Sequence, residues 1–112
     1  IAAECIGDAK WFLAKAFAHM TAAEAIVYRA ASLYDFGQDP GIEANTAKML
    51  AADDSREAAE ACLQTHGGIG FAEEYDVERK VGKTRLYQVA PISTNLILCF
   101  LAERALGLPK SY

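Results

Sequence analysis

The sequence predicts an all-α fold, a helical bundle or part of one, and three observations carry that prediction. Apolar residues recur at spacings of three and four over long stretches, the mark of amphipathic helices. Gly and Pro stand where those stretches end, which is stop chemistry for a helix. No run alternates apolar and polar residues between turns, as a half-buried strand would, and no internal repeat is visible.

The first predicted helix spans Ala2 to Phe36, on the stripe Ile6, Ala9, Leu13, Ala16, Phe17, Met20, Ala23, Ile26, Val27, Ala30 and Leu33. Gly37 stops it, and the run GQDPG at 37–41 makes a turn. A second helix is expected from Ile42 to His66. Its stripe is Ala47, Leu50, Ala51, Ala58, Ala61 and Cys62, with Asp53, Asp54, Arg56 and Glu57 toward water. Beyond the glycines of QTHGGIGF, Glu74 to about Tyr87 reads as a short helix. The last helix starts near Ile92, carries Leu96, Ile97, Phe100, Leu101, Ala105 and Leu106, and closes at Gly107 with Pro109 just beyond.

Composition bounds the function. At 112 residues the chain suits one domain, residues 1–112. With 53% hydrophobic and 23% charged residues it is globular rather than disordered. The net charge is −4 and no Lys/Arg stripe is present, so no nucleic-acid partner is expected. Cys5, Cys62 and Cys99 are odd in number and far apart. They read as buried free thiols in a reducing, cytoplasmic compartment rather than as disulfides or a metal site. No uninterrupted apolar segment has the length of a membrane span. Neither an initiator Met nor a signal pattern stands at Ile1, so a piece of a longer protein is expected.

One length calculation bears on association. A helix from Ala2 to Phe36 would be about 50 Å long, against a diameter of roughly 34 Å for a compact domain of this size. The helix would overhang its own domain with an apolar stripe. Pairing with another copy, with exchange of helices as one form of it, is the expectation from geometry.

The residues by themselves leave the chemistry open. A phosphate cradle at HGGIG needs a strand before the glycines and a helix starting from them; here a helix comes in instead. Gly82-Lys83-Thr84 resembles the end of a P-loop, but Val77 stands where its first glycine belongs. A Schellman-type ending plus a tight turn is the plain reading of Gly67, Gly68 and Gly70. His19 and His66 show no ligand partner at useful spacing. Glu73, Glu74, Glu78 and Glu103 are not selected as acid or base by spacing.

The stretch from Ala61 to Gly107 nevertheless resembles the C-terminal segment of the acyl-CoA dehydrogenase family. Gln64, Gly67, Gly68, Gly70, Tyr75, Val77, Glu78 and Arg79 stand in one frame with a Gln, two residues, Gly-Gly-x-Gly and Tyr-x-Val-Glu-Arg. AKMLAADDSREAAEACLQ before it resembles the family's penultimate long helix. The resemblance implies a helical bundle of that C-terminal type and a homo-oligomeric flavoprotein of fatty acid metabolism, a dimer or tetramer. Such proteins remove two hydrogens from the α and β carbons of an acyl-CoA: a carboxylate takes the α-proton, and the β-hydride goes to FAD. Carried over by motif, Gln64, Gly67 and Gly68 lie against the FAD of an adjoining chain. Ser93 and Asn95 are further cofactor-binding candidates, whose plain role is capping the last helix.

Three departures qualify that resemblance. Gly82-Lys83-Thr84-Arg85 replaces the family's Arg-Asp-Ala-Lys. Ala90-Pro91-Ile92-Ser93 replaces Tyr-Glu-Gly-Thr, whose Glu is the base in many members, and a proline accepts no proton. Near the start, a helical hairpin with an Arg-x-x-Phe-Gly loop is missing, as if two helices were fused end to end. Either the hairpin was lost, naturally or by engineering, or residues are absent from the sequence as written. Two functions follow: a C-terminal dehydrogenase domain supplying FAD and oligomer contacts but no catalytic residue or metal ligand, or a non-catalytic helical oligomerisation module that has lost the flavin.

Overall fold

The computed structural model describes residues 2–110, with the side chains of residues 2–9 outside that description, so the readings of Cys5, Ile6 and Ala9 lie outside it too. Four helices form: α1 (Ala2–Asp35), α2 (Gly41–His66), α3 (Val77–Val89) and α4 (Thr94–Arg104). Two 3-10 turns, Gly67–Phe71 and Glu73–Tyr75, join α2 to α3. Among the described residues there is no strand.

Each helix ends for a chemical reason. At the end of α1, Gly37 adopts φ 70°. Its N–H donates to the Tyr34 carbonyl at 2.9 Å while the Gln38 N–H donates to the Leu33 carbonyl at 2.9 Å, which is a complete Schellman closure. Asp39 Oδ1 accepts the Gly41 N–H at 2.8 Å where α2 begins. Ser93 caps α4, its hydroxyl accepting the Leu96 N–H at 3.3 Å.

α2 is the central element. α1 runs antiparallel along one side of it, as the polar pairs show: Arg29 meets Glu43 at 3.1 Å, His19 meets Asp54 at 2.9 Å, and Lys15 meets Glu57. α3 runs antiparallel along another side. Arg56 donates to the Val81 carbonyl at 3.3 Å and the Gln88 amide to Asp53 at 2.8 Å. α4 continues in the same direction toward the start of α2, where the Phe100 ring lies beside Gly41.

That arrangement corrects the expected stripe of α2. Ala47 is buried as predicted, but Ala51 and Cys62 are exposed, while Ala52 and Ala59 are buried instead. Asp54 and Arg56, placed toward water by the sequence, are half-buried. A helix flanked on more than one side has no single wet face, so one-stripe periodicity misassigns it. The exposed Cys62 and half-buried Cys99 also correct the reading of buried thiols. The predicted third helix splits at Asp76, whose left-handed backbone (φ 58°, ψ 6°) separates the 3-10 turn from α3.

α1 is unbroken over 34 residues, as predicted, and at about 1.5 Å per residue it outruns the 26-residue α2 beside it. The molecule measures 50 × 26 × 25 Å, with a radius of gyration of 17.1 Å. It is as long as its first helix, and α2 lies beside most of α1. Among the described side chains, an apolar flank of α1 stays open. Phe17 (67% exposed), Met20, Val27, Tyr28 and Tyr34 all face outward. Between Phe17, Met20, Val27 and Tyr28 of α1 and Ala51, Ser55 and Ala58 of α2 lies an apolar groove of about 670 Å³.

The core is thin. Among the described residues the buried hydrophobics are Ala23, Ala47, Ala52, Ala59, Val77 and Ile97, and only Ile97 is a large side chain with almost no exposure. Small alanines let helix backbones approach closely but remove little apolar area from water.

The stretch from Val77 to Arg104 has the length and hydropathy of a membrane span. It is two helices, of 13 and 11 residues, separated by residues 90–93. Each is shorter than the roughly 20 residues a helix needs to cross a bilayer.

Candidate functional site

The glycine turn follows directly from the end of α2. Gly67 has φ 59° and ψ −144°, and its N–H returns to the Leu63 and Gln64 carbonyls. That ψ is not the left-handed value of a Schellman motif, so the predicted closure is replaced by a reversal into the 3-10 turn. A positive φ accounts for glycine at 67. Gly70 is buried: a Cβ there would stand 2.7 Å from Leu63 Cδ1 and 3.1 Å from His66 Cβ, so close packing accounts for it. Gly68 has neither reason. Its φ is not positive, and nothing lies within 4 Å of where its Cβ would be.

The side chains around the turn are fixed locally. The His66 ring donates from Nδ1 to the Cys62 carbonyl at 2.9 Å, with Cys62 Sγ 3.7 Å away, and packs against Tyr75 at 6.3 Å between ring centres. His66 therefore does have a cysteine one helical turn away, a spacing the sequence reading passed over. Arg79 holds the Asp76 carboxylate with two donors, Nη2 reaching Oδ2 at 2.6 Å. Those hydrogen bonds, aided by the guanidinium charge, hold Asp76 below the usual carboxylate range and raise Arg79 in turn. Gln64, Gly67 and Gly68 are all exposed at this end of the molecule.

Ser93 and Asn95 lie elsewhere. The linker before α4 is fastened by Lys48 of α2, whose ammonium donates to the Tyr87 carbonyl at 2.7 Å and the Ile92 carbonyl at 2.6 Å. The Tyr87 carbonyl would ordinarily accept from the residue four positions on. That residue is Pro91, which has no N–H, and Lys48 supplies the missing donor. Sequence reasoning missed Lys48, since a lysine in a helix carries no signal of a partner about forty residues away. From Lys48 to Gln64 along α2 is about 24 Å at the helical rise. One chain thus does not gather the five candidate residues around a single point. Pro91 is exposed on the linker and offers no ionisable group.

Fold and turn first define a class: an all-α domain that presents an outward glycine loop which its own packing does not fully require. A family model described as "Acyl-CoA dehydrogenase, C-terminal domain" matches residues 7–106. Acyl-CoA dehydrogenase FadE12 of Mycobacterium tuberculosis is 40% identical over 102 residues, which is 89% of this chain and 26% of that protein. An acyl-CoA dehydrogenase of Bacillus subtilis is 33% identical over 86 residues, 77% of this chain and 23% of the relative. Cyclohexane-1-carbonyl-CoA dehydrogenase of Geobacter metallireducens is 35% identical over 68 residues, 61% of this chain and 18% of the relative. No solved structure matches. The chain belongs to the acyl-CoA dehydrogenase family, as a domain of its C-terminal type. It spans about a quarter of the length of the curated relatives it matches. Relatives named as dehydrogenases and reductases favour the reading as a dehydrogenase-family domain over that as a non-catalytic helical module.

Proposed function

We propose that this chain is the domain through which a flavin-dependent dehydrogenase of acyl-CoA thioesters assembles and completes its FAD site, in cytoplasmic fatty acid metabolism. The observation that carries the reading is Gly68. Neither its backbone nor its neighbours call for glycine; Gly82 shares that freedom inside α3, but Gly68 stands in the Gly-Gly-x-Gly frame of an exposed turn, which supports reading the missing side chain as room for something outside the chain. Gln64, Gly67 and Gly68 hold FAD at this turn, where backbone can approach an anionic cofactor closely; Ser93 and Asn95 do so at the start of α4. The distance between the two groups supports a site shared between copies of a homo-oligomer. The open flank of α1 supports that association, because so wide an apolar surface is costly to leave in water. FAD, when bound, would supply the acceptor for the β-hydride, and Pro91, at the position where many members carry the base, offers no proton acceptor, so a carboxylate from elsewhere in the protein would take the α-proton.

The test is Gly68→Val in the full-length protein. Flavin absorbance of the purified protein is expected to fall sharply while helical circular dichroism stays unchanged. Unaltered flavin content would overturn the reading.

A further inference from the structure

A cluster away from the glycine turn joins the two longest helices. His19 of α1 and Asp54 and Glu57 of α2 each turn a ligand atom toward the others, all within 4.8 Å of one another. We propose that these three side chains form a site for one divalent transition-metal ion of the zinc or cobalt type, clamping α1 to α2.

The geometry is close to that of a bound ion. His19 Nδ1 lies 2.9 Å from Asp54 Oδ1 and 3.9 Å from Glu57 Oε2. Ligands held at 2.0 to 2.2 Å from zinc stand about 3.3 to 3.6 Å from one another, so the ion would replace the His19–Asp54 hydrogen bond, spreading that pair by a few tenths of an ångström, and draw the Glu57 carboxylate inward. Glu57 has the freedom, being 46% exposed in its side chain. Lys15 pairs with the other oxygen, Oε1, which leaves Oε2 facing His19.

A second feature points the same way. The three ligands border a small cavity of about 10 Å³ whose other walls are Phe12, Ala16, Ala58, Ala61 and Lys15, the last held on Glu57 Oε1. That is the size of one water, the usual occupant of a fourth, open coordination position. One imidazole with two carboxylates suits a borderline ion and gives too few oxygens for calcium. The three residues are 35 to 38 positions apart in sequence or one helical turn apart, so only the packing of α1 on α2 assembles them. An ion here would add a cross-link to a seam whose buried residues are mainly alanine. This inference does not depend on flavin binding.

The test uses the chain stripped with chelator and titrated with Co2+. One saturable ion per chain, with a visible d–d band that Zn2+ displaces, is expected. The thermal midpoint should rise by several degrees in Zn2+ and fall back in chelator. His19→Gln and Asp54→Asn should each weaken binding tenfold or more and abolish the thermal shift, with circular dichroism reporting that both variants fold. Cys62→Ser should change nothing, which separates this site from the Cys62–His66 pair. Absence of a saturable ion in the parent chain, or binding unaffected by both ligand variants, would overturn the proposal.

Discussion

The Lys48 ammonium of α2 donates to the Ile92 carbonyl at 2.6 Å and thereby fixes the linker that leads into α4. The same nitrogen satisfies the Tyr87 carbonyl, which Pro91 cannot serve. Replacing Lys48 with Met keeps most of the aliphatic stem and removes both bonds. Because the carbonyls sit near the surface, water recovers part of the loss. A destabilisation of about 1 to 3 kcal/mol is expected from charge-assisted bonds of this kind, read as a lower urea midpoint. An unshifted midpoint would mean that the clasp contributes nothing.

Two glycines in helical segments should respond to alanine with opposite signs. Gly82 lies exposed within α3, with nothing within 4 Å of an added Cβ. Gly82→Ala is expected to stabilise by about 0.5 to 1 kcal/mol through helix propensity. Gly70→Ala pushes into Leu63 and His66 and is expected to cost about 1 to 3 kcal/mol. Denaturant curves of the two variants beside the parent decide; a stabilising Gly70→Ala would contradict the packing described.

Asp76 makes the acid limb of stability partly legible. Its carboxyl is held below the ordinary range, first by the hydrogen bonds from Arg79. A depressed folded-state pKa contributes stability above the unfolded value of about 4 that disappears as pH falls through the lower folded value. Asp76→Asn keeps a residue tolerant of the left-handed backbone. The stability difference between parent and variant should be constant above about pH 5 and close in stronger acid. A difference that persists at the lowest pH would assign the effect to backbone geometry instead of charge.

The flank of α1 predicts self-association. Light scattering should give a mass above the 12.1 kDa of one chain. Phe17→Glu, at a side chain that is 67% exposed within one chain, should lower the association constant strongly while leaving helicity intact. A parent chain that runs as a monomer at all accessible concentrations would sink this prediction.

Much of the fold was legible because its cues are local. The spacing from Leu13 to Leu33, Gly37 at one boundary, Ser93 at another and Gly107 at the last all act within a turn or two of chain. What was lost has the opposite character. Ala52 and Ala59 replace Ala51 and Cys62 in the interior because α2 is flanked on more than one side, and periodicity averages over one face only. His19 looked partnerless because Asp54 and Glu57 reach it across a helix seam. Of the site residues, the frame around Gln64 and the glycines carried the family. Lys48 carried no mark at all.

The sequence by itself determined the all-α class, the four helices with most of their ends, and membership of the acyl-CoA dehydrogenase family, since these rest on spacing, caps and a contiguous motif. Only the tertiary structure decided that Gly68, unlike Gly67 and Gly70, lacks an internal cause. It also decided that the open apolar surface runs along the flank of α1, and that His19 meets two carboxylates. The physical reason is shared by all three: each depends on which atoms other segments bring near, and that proximity is set by how α1, α3 and α4 pack around α2.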